Sequence, residues 1–185
     1  MKGIIFTEFL DLVEKKFGIG MVDKIIAQSE LKSAGAYTAV GTYDFGEMLQ
    51  LMTHLSHNTS LSIDDLLLVY AEHLFHALVK SYPDLISHYA DPMTLLASIE
   101  NHIHIEVKKI YPDAELPTFV VEDYSKDKMT IVYRSDRALY MLSKGLMHET
   151  FKLFDVPVQI DFEKLNDKGT EVRFFIEKKA WTRIQ

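Results

Sequence analysis

The side chains with chemistry in them are eight histidines, no cysteine, and a short run of alternating hydrogen-bond donors near residue 135. Without cysteine there is no disulfide, no thiolate metal site and no cysteine nucleophile. His54 and His57 stand three apart, as do His73 and His76, and that spacing puts each pair on one helical face. A tetrahedral zinc site takes about three or four protein ligands. No neighbouring triad in the sequence completes either pair, so both read as partly exposed polar positions. His102 and His104 flank the stripe Leu96, Ile99, Ile103, Val107 and Ile110, one on either side at about 100° per residue. Either imidazole has the chemistry to coordinate iron, and either suits the boundary of a packed helix. Periodicity does not choose between them.

Tyr133, Ser135 and Arg137 alternate where a strand gives way to a helix. Residues two apart on extended backbone face the same way, so the three donors can converge on one anion. Arginine offers a carboxylate a bidentate fork, and a helix N-terminus beside it would add free N–H groups. A solvated strand end would carry the same residues, and the pattern alone fits both. Other catalytic arrangements are missing. The eight glycines are scattered and form no phosphate loop, no Gly-x-Ser-x-Gly elbow occurs, and Asp64, Asp65 and Asp84 sit at helix starts or in loops, where capping accounts for them.

These residues need elements to hold them. Phe6, Phe9, Leu10, Val13 and Phe17 recur at helical spacing up to Gly18 and Gly20. Short helices are predicted over residues 21–29 and 45–53, the second interrupted by the polar stretch 56–60. Ser62 with Asp65 resembles a capping box that opens an apolar helix over 64–80, closed by Tyr82–Pro83. A further helix is predicted over 92–110, from Pro92 to the Tyr111–Pro112 stop. After Pro117 the period changes. Strands are predicted over 118–122 and 129–133, then a helix over 136–153. A hairpin follows, in which Val158, Ile160, Phe162 and Val172, Phe174, Ile176 alternate around the turn 166–169. The expected fold is α+β: a helical N-terminal subdomain, about residues 1–60, packed on a remainder, about 61–185, of antiparallel sheet with flanking helices. With no flexible linker the 185 residues read as one domain, and an interface between its halves is where a small-molecule pocket belongs.

Composition narrows the partners. Apolar residues make up 48% and charged residues 25%, ordinary for a soluble globular chain. A formal net charge of −7 without a basic stripe argues against nucleic acid. No apolar run approaches the roughly 20 residues that span a bilayer, and the first twelve carry Lys2, Glu8 and Asp11, unlike a signal peptide. A cytoplasmic protein is expected.

Three segments together resemble the haem nitric oxide/oxygen-binding (H-NOX) family, which includes the haem domain of soluble guanylate cyclase. They are the opening Met-Lys-Gly-Ile-Ile, the run from His104 through Ile110-Tyr111-Pro112 to Pro117-Thr118-Phe119, and Tyr133-x-Ser135-x-Arg137. In that family the proximal histidine stands thirteen residues before a proline, a spacing that His104 and Pro117 have and His102 lacks. The resemblance spans essentially the whole chain. It implies haem b (iron protoporphyrin IX) between the two subdomains, with His104 as the axial metal ligand. It also implies that Tyr133, Ser135 and Arg137 clamp the propionates and that Ile5 and Pro117 press on the macrocycle.

The same resemblance speaks to the gas. Family members that hold oxygen place a tyrosine five residues after the arginine, where this chain has Leu142. The supporting positions match Phe9 and Leu74, with Leu146 close by. Bound oxygen gains from a hydrogen bond of about 1.5–3 kcal/mol, roughly one to two orders of magnitude in affinity, and nitric oxide needs it much less. The implied role is therefore a nitric oxide sensor, also able to bind carbon monoxide. Tyr140, about 200° around the helix from Leu142, is expected to face elsewhere. As a stand-alone bacterial-type member without an output segment, the chain is expected to act through a separate histidine kinase or a cyclic-di-GMP enzyme (diguanylate cyclase or phosphodiesterase), and not as an enzyme itself. The rival readings are an oxygen sensor with a distal donor elsewhere, and a haem-free interaction module.

Overall fold

The first helix begins at a glycine because another chain segment lies against it. In the computed structural model, which describes residues 1–180, a Cβ on Gly3 would stand 1.8 Å from the carbonyl oxygen of Thr38. The loop 38–43 closes over this end of α1 (Gly3–Phe17). The N–H groups of Gly3 and Ile4 donate to the carbonyls of Gly41 and Ala39 at 2.8 and 2.9 Å, satisfying donors that a helix start leaves unpaired. The Met1 ammonium donates to the Tyr43 carbonyl at 2.7 Å. The opening Met-Lys-Gly-Ile-Ile is thereby fixed in place.

Gly18, at φ 83°, turns the chain into α2 (Ile19–Gln28). The next helix, α3 (Phe45–Thr59), is longer than expected from the polar stretch 56–60. Asn58 Nδ2 and Thr59 Oγ1 donate to the His54 and Leu55 carbonyls at 2.7 Å each, so these polar side chains turn back onto the helix, which stops at Ser60 with φ 60°. At the start of α4 (Ile63–Ser81) the Ser62 hydroxyl accepts the Asp65 N–H at 3.1 Å and donates to its carboxylate at 2.6 Å. Ser62 and Asp65 do form the cap, with the carboxylate taking the hydroxyl. Helix α4 crosses the core through Leu66, Leu67, Tyr70 and Leu74. The Tyr70 hydroxyl donates to the Ile5 carbonyl at 2.5 Å and braces α1 against it.

Residues 92–110 are not one helix. They divide into α5 (Pro92–Ala97), a π-helical turn (Ile99–Ile103) and α6 (His104–Ile110). The Ser98 carbonyl accepts the His102 N–H at 2.8 Å and the Ile103 N–H at 3.4 Å, and this wider turn breaks the 100° periodicity on which the sequence reading relied. The last helix, α7 (Tyr140–Leu153), starts four residues after the expected position 136, because Ala138 turns through φ 51°.

Strands β1 (Thr118–Tyr124), β2 (Lys128–Arg134), β3 (Val158–Lys164) and β4 (Glu171–Lys178) form an antiparallel sheet in the order β1-β2-β4-β3. Met129, Ile131 and Tyr133 pair with Ile176, Phe174 and Val172, and these six alternate residues form a fully buried face. The fold is thus α+β, with one core continuous from α1 to the sheet. Among the described residues no helix is long and apolar enough to cross a membrane.

Two contacts lend themselves to test. A Cβ on Gly145 of α7 would lie 2.3 Å from the Ala71 Cβ of α4. Overpacking of this kind costs about 1–3 kcal/mol, against a helix-propensity gain of about 1. Gly145→Ala is therefore expected to lower the thermal unfolding midpoint, and adding Ala71→Gly to recover it. The second contact is Lys2, whose Nζ reaches the Val40 carbonyl, Thr42 Oγ1 and Asp113 Oδ1 at 2.8–2.9 Å, while Thr42 Oγ1 donates to Asp113 Oδ2 at 2.6 Å. The hydrogen bonds from Thr42 and Lys2 hold the Asp113 carboxyl down at about 2. A depressed folded-state value gives stability that is present above the unfolded value of about 3.9 and is lost as pH falls through about 2. Asp113→Asn should flatten acid unfolding in that window, as read by circular dichroism.

Candidate functional site

Ile4 and Ile5 of α1, Leu74 and Leu78 of α4, and Leu142 and Leu146 of α7 converge with the π turn and α6 on a cavity of about 340 Å³. That size suits a small-molecule or cofactor pocket. The wall is apolar over most of its extent. Its polar groups include His104, the cluster of Tyr133, Ser135 and Arg137 with Glu115, Lys2, Ser143 and Thr150, and the Tyr82–Tyr111 hydroxyl pair, 2.8 Å apart.

The wide turn separates the two histidines that periodicity left equal. His102 lies outside the cavity wall, its Nδ1 2.7 Å from the Tyr89 hydroxyl, which also accepts from Ser98 Oγ at 2.6 Å. His104 lines the cavity, and its ring packs 5.9 Å from that of Phe119. Its Nδ1 lies 3.0 Å from Glu100 Oε1, leaving Nε2 available to a ligand in the cavity. Burial pushes the imidazole below the usual histidine range, although the Glu100 carboxylate pulls the other way. A neutral imidazole with one nitrogen committed is the form in which histidine binds a metal.

Tyr133, Ser135 and Arg137 all line the cavity. Tyr133 is buried, and burial raises its phenol. Ser135 Oγ accepts the Arg137 N–H at 3.3 Å. The Arg137 guanidinium lies over the Phe45 ring and donates to the Glu115 carboxylate and, at 2.8 Å, to the Glu115 carbonyl. The expected support from a helix N-terminus is corrected: α7 starts beyond Arg137, at Tyr140, so its dipole does not serve this cluster. Backbone turn geometry and the Glu115 pair position the arginine instead.

Ile5, Pro117, Leu74, Leu142 and Leu146 all reach the wall. Phe9 does not. It is fully buried behind the wall, edge-to-face with Tyr70 at 5.5 Å, because its place on α1 turns it into the core. Tyr140 points away from the cavity to the β3–β4 hairpin, with its ring 5.3 Å from Phe162. Ser143 and Thr150 line the cavity, but their hydroxyls donate to the Leu139 and Leu146 carbonyls of the same segment, at 3.4 and 2.9 Å.

Three features escaped the sequence reading. Glu115 pairs with Arg137 across a loop, which no local pattern signals. Glu100 stands one turn before His104, and that carboxylate-histidine spacing was a usable signal. His73 and His76, read as uncompleted, each meet carboxylates from other helices: His73 Nε2 lies 3.1 Å from both Glu8 and Asp11, and His76 Nε2 lies 3.8 Å from Glu149. The residues on the cavity wall fit an iron porphyrin: one neutral imidazole, apolar walls, and donors for carboxylates grouped in one place.

Comparison with known proteins adds an independent line. A family model described as haem-NO-binding matches residues 2–162. Comparison with curated protein sequences returned no match. Among solved structures, the Fe(II) unliganded H-NOX protein from K. algicida is 59% identical over the full length of both chains, with a TM-score of 0.96. The H-NOX from Shewanella woodyi, solved with IWP-051 in the Fe(II)CO state, is 31% identical, covering 100% of this chain and 99% of that one, with a TM-score of 0.83. An H-NOX protein from S. oneidensis in the Fe(II)NO state is 23% identical, covering 97% of this chain and 100% of the other, with a TM-score of 0.89, and is similar in fold.

The two histidines should respond differently to loss. His102→Ala removes a hydrogen bond to Tyr89 and is expected to cost about 1 kcal/mol of stability in urea unfolding. It should leave binding in the cavity intact, as measured by absorbance titration.

Proposed function

The chain belongs to the haem-NO-binding family, and on that footing we propose that it is a haem-based sensor of nitric oxide that passes its signal to a separate protein. The observation that carries this reading is His104, a half-buried imidazole on the cavity wall whose Nδ1 faces Glu100 and whose Nε2 is left for the cavity. Haem b, when bound, would supply the ferrous iron that takes up nitric oxide or carbon monoxide.

The remaining roles fall to the chain's own residues. His104 would hold the iron through Nε2. Tyr133, Ser135 and Arg137 take the propionates, with Arg137 exchanging the exposed Glu115 carboxylate for one of them. Ile5 and Pro117, both on the cavity wall, would pack against the ring system. Leu74, Leu142 and Leu146 make the gas side apolar, with Phe9 packed behind them. Support for nitric oxide over oxygen comes from this wall. Tyr140 is engaged by the β3–β4 hairpin, and the Ser143 and Thr150 protons are already committed to carbonyls. These three side chains would therefore offer an oxygen ligand no hydrogen bond, a contribution of about 1.5–3 kcal/mol.

The signal would leave through the contact between the two parts of the chain, about 1–60 and 61–185. Lys2 and Thr42 hold Asp113, which lies three residues after the end of α6, so a displacement of His104 and α6 is passed to the loop 38–43. We assign the receiving partner to a cytoplasmic histidine kinase or cyclic-di-GMP enzyme whose affinity differs between the two arrangements. The chain itself is assigned a sensing role and no catalysis.

The purified ferrous protein is expected to show a Soret band that shifts with carbon monoxide and nitric oxide and stays unchanged in air. Stable oxygen bands would transfer the assignment to oxygen sensing, and no Soret band after haem supply would remove the haem reading. His104→Gly should lose haem unless imidazole is added. Retention without imidazole, with loss in a His102 variant, would overturn the ligand assignment.

A further inference from the structure

Glu100 occupies an unusual position. It lies in the π turn, four residues before His104, and its Oε1 stands within 3.0 Å of two nitrogens. One is His104 Nδ1 at 3.0 Å; the other is the backbone N–H of Phe119 at 2.8 Å, at the start of β1 and two residues after Pro117. A single carboxylate oxygen thus joins the ligand histidine to the segment that begins at the wall residue Pro117. The His104 ring is further fixed by Phe119, against which it packs. No other side chain is bonded to His104 Nδ1 among the described residues.

We propose that Glu100 is the positioning residue of the His104 ligand: its carboxylate sets the ring orientation and the tautomer, strengthens electron donation from Nε2, and couples His104 to the Pro117–Phe119 segment. This rests on the haem reading given above. Histidine ligands that donate their second N–H to a carboxylate are more basic than those that donate to a neutral group, and loss of such a partner costs about 10–100-fold in affinity or activity. The spacing of four residues places Glu100 and His104 on the same helical face. The Phe119 N–H holds the carboxylate from the opposite direction, so the pair stays aligned although Glu100 is partly exposed. A carboxylate free to rotate into solvent would fix neither tautomer nor orientation. When His104 moves, the shared oxygen also carries that movement to the first residues of β1.

The test compares the full-length haem-loaded protein with Glu100→Gln and Glu100→Ala. Glutamine keeps an oxygen acceptor for both N–H groups and removes only the charge; alanine removes both. The iron–histidine stretching band of the ferrous protein, read by resonance Raman spectroscopy, is expected to move to lower frequency in the order Glu, Gln, Ala. Haem transfer to a haem-free acceptor protein should quicken by about 10–100-fold in Glu100→Ala and by less in Glu100→Gln. A band at the same frequency in all three proteins would overturn the inference, even if thermal stability falls, because a purely structural role moves stability and leaves the iron–histidine bond alone. A parent protein with a Soret band but no iron–histidine band would overturn His104 as ligand, and this inference with it. Absence of the Soret band in the parent is the separate failure of the haem reading.

Discussion

The turn between Ser98 and His104 accommodates one more residue than an α-helical turn, and the chemistry of the site follows from it. One carbonyl, that of Ser98, takes two successive N–H groups. In an unbroken α-helix His102 and His104 would flank the same apolar stripe as near equals. With the wider turn His102 is drawn out to Tyr89 and His104 is delivered to the cavity. The turn is stabilised from both ends. Ser98, Tyr89 and His102 form a chain of hydrogen bonds on one side, while Glu100 ties the other to β1. Departures from α geometry of this kind collect at functional sites, where a side chain has to be aimed against the natural helical phase.

Around this turn the cavity is built from elements far apart in sequence, and each is held by contacts of its own. The loop 38–43 pins the start of α1 and so places Ile4 and Ile5. Tyr70 carries α4 to the same helix through the Ile5 carbonyl. Gly145 lets α7 approach α4 closely enough for Leu142 and Leu146 to share a wall with Leu74. The sheet presents Tyr133 from a strand whose alternate residues fill the core, which explains why that tyrosine is buried. Loss of any of these supports would shift the wall without touching a polar group in it.

Electrostatically the site separates two kinds of environment. Burial holds the His104 imidazole below the usual histidine range, while the Arg137 guanidinium on the same wall is balanced by Glu115. An anion entering beside Arg137 exchanges one carboxylate partner for another, a smaller change than burying a new charge pair. On the α7 side of the wall the Ser143 and Thr150 hydroxyls donate to carbonyls of their own segment, and Tyr140 is turned away to the hairpin.

Much of this was legible in the amino-acid order, because periodicity and turn chemistry are local. The α+β class, the Ser62 start of α4, the 166–169 hairpin turn and the alternating faces of β2 and β4 follow from patterns within about a dozen residues. The spacing of His104 to Pro117 and the Tyr-x-Ser-x-Arg run marked the site and, through the family resemblance, assigned its roles. Only the tertiary structure decided what depends on distant partners. It moved Phe9 behind the wall, since α1 rotates to meet Tyr70. It started α7 beyond Arg137, since Ala138 adopts a left-handed turn, and gave Arg137 its Glu115 pair. It broke the 92–110 helix, since contacts from Tyr89 and Phe119 outweigh the regular hydrogen-bond ladder at one turn. Sequence spacing names candidate ligands; the direction in which a ligand points is set by whatever packs against its helix.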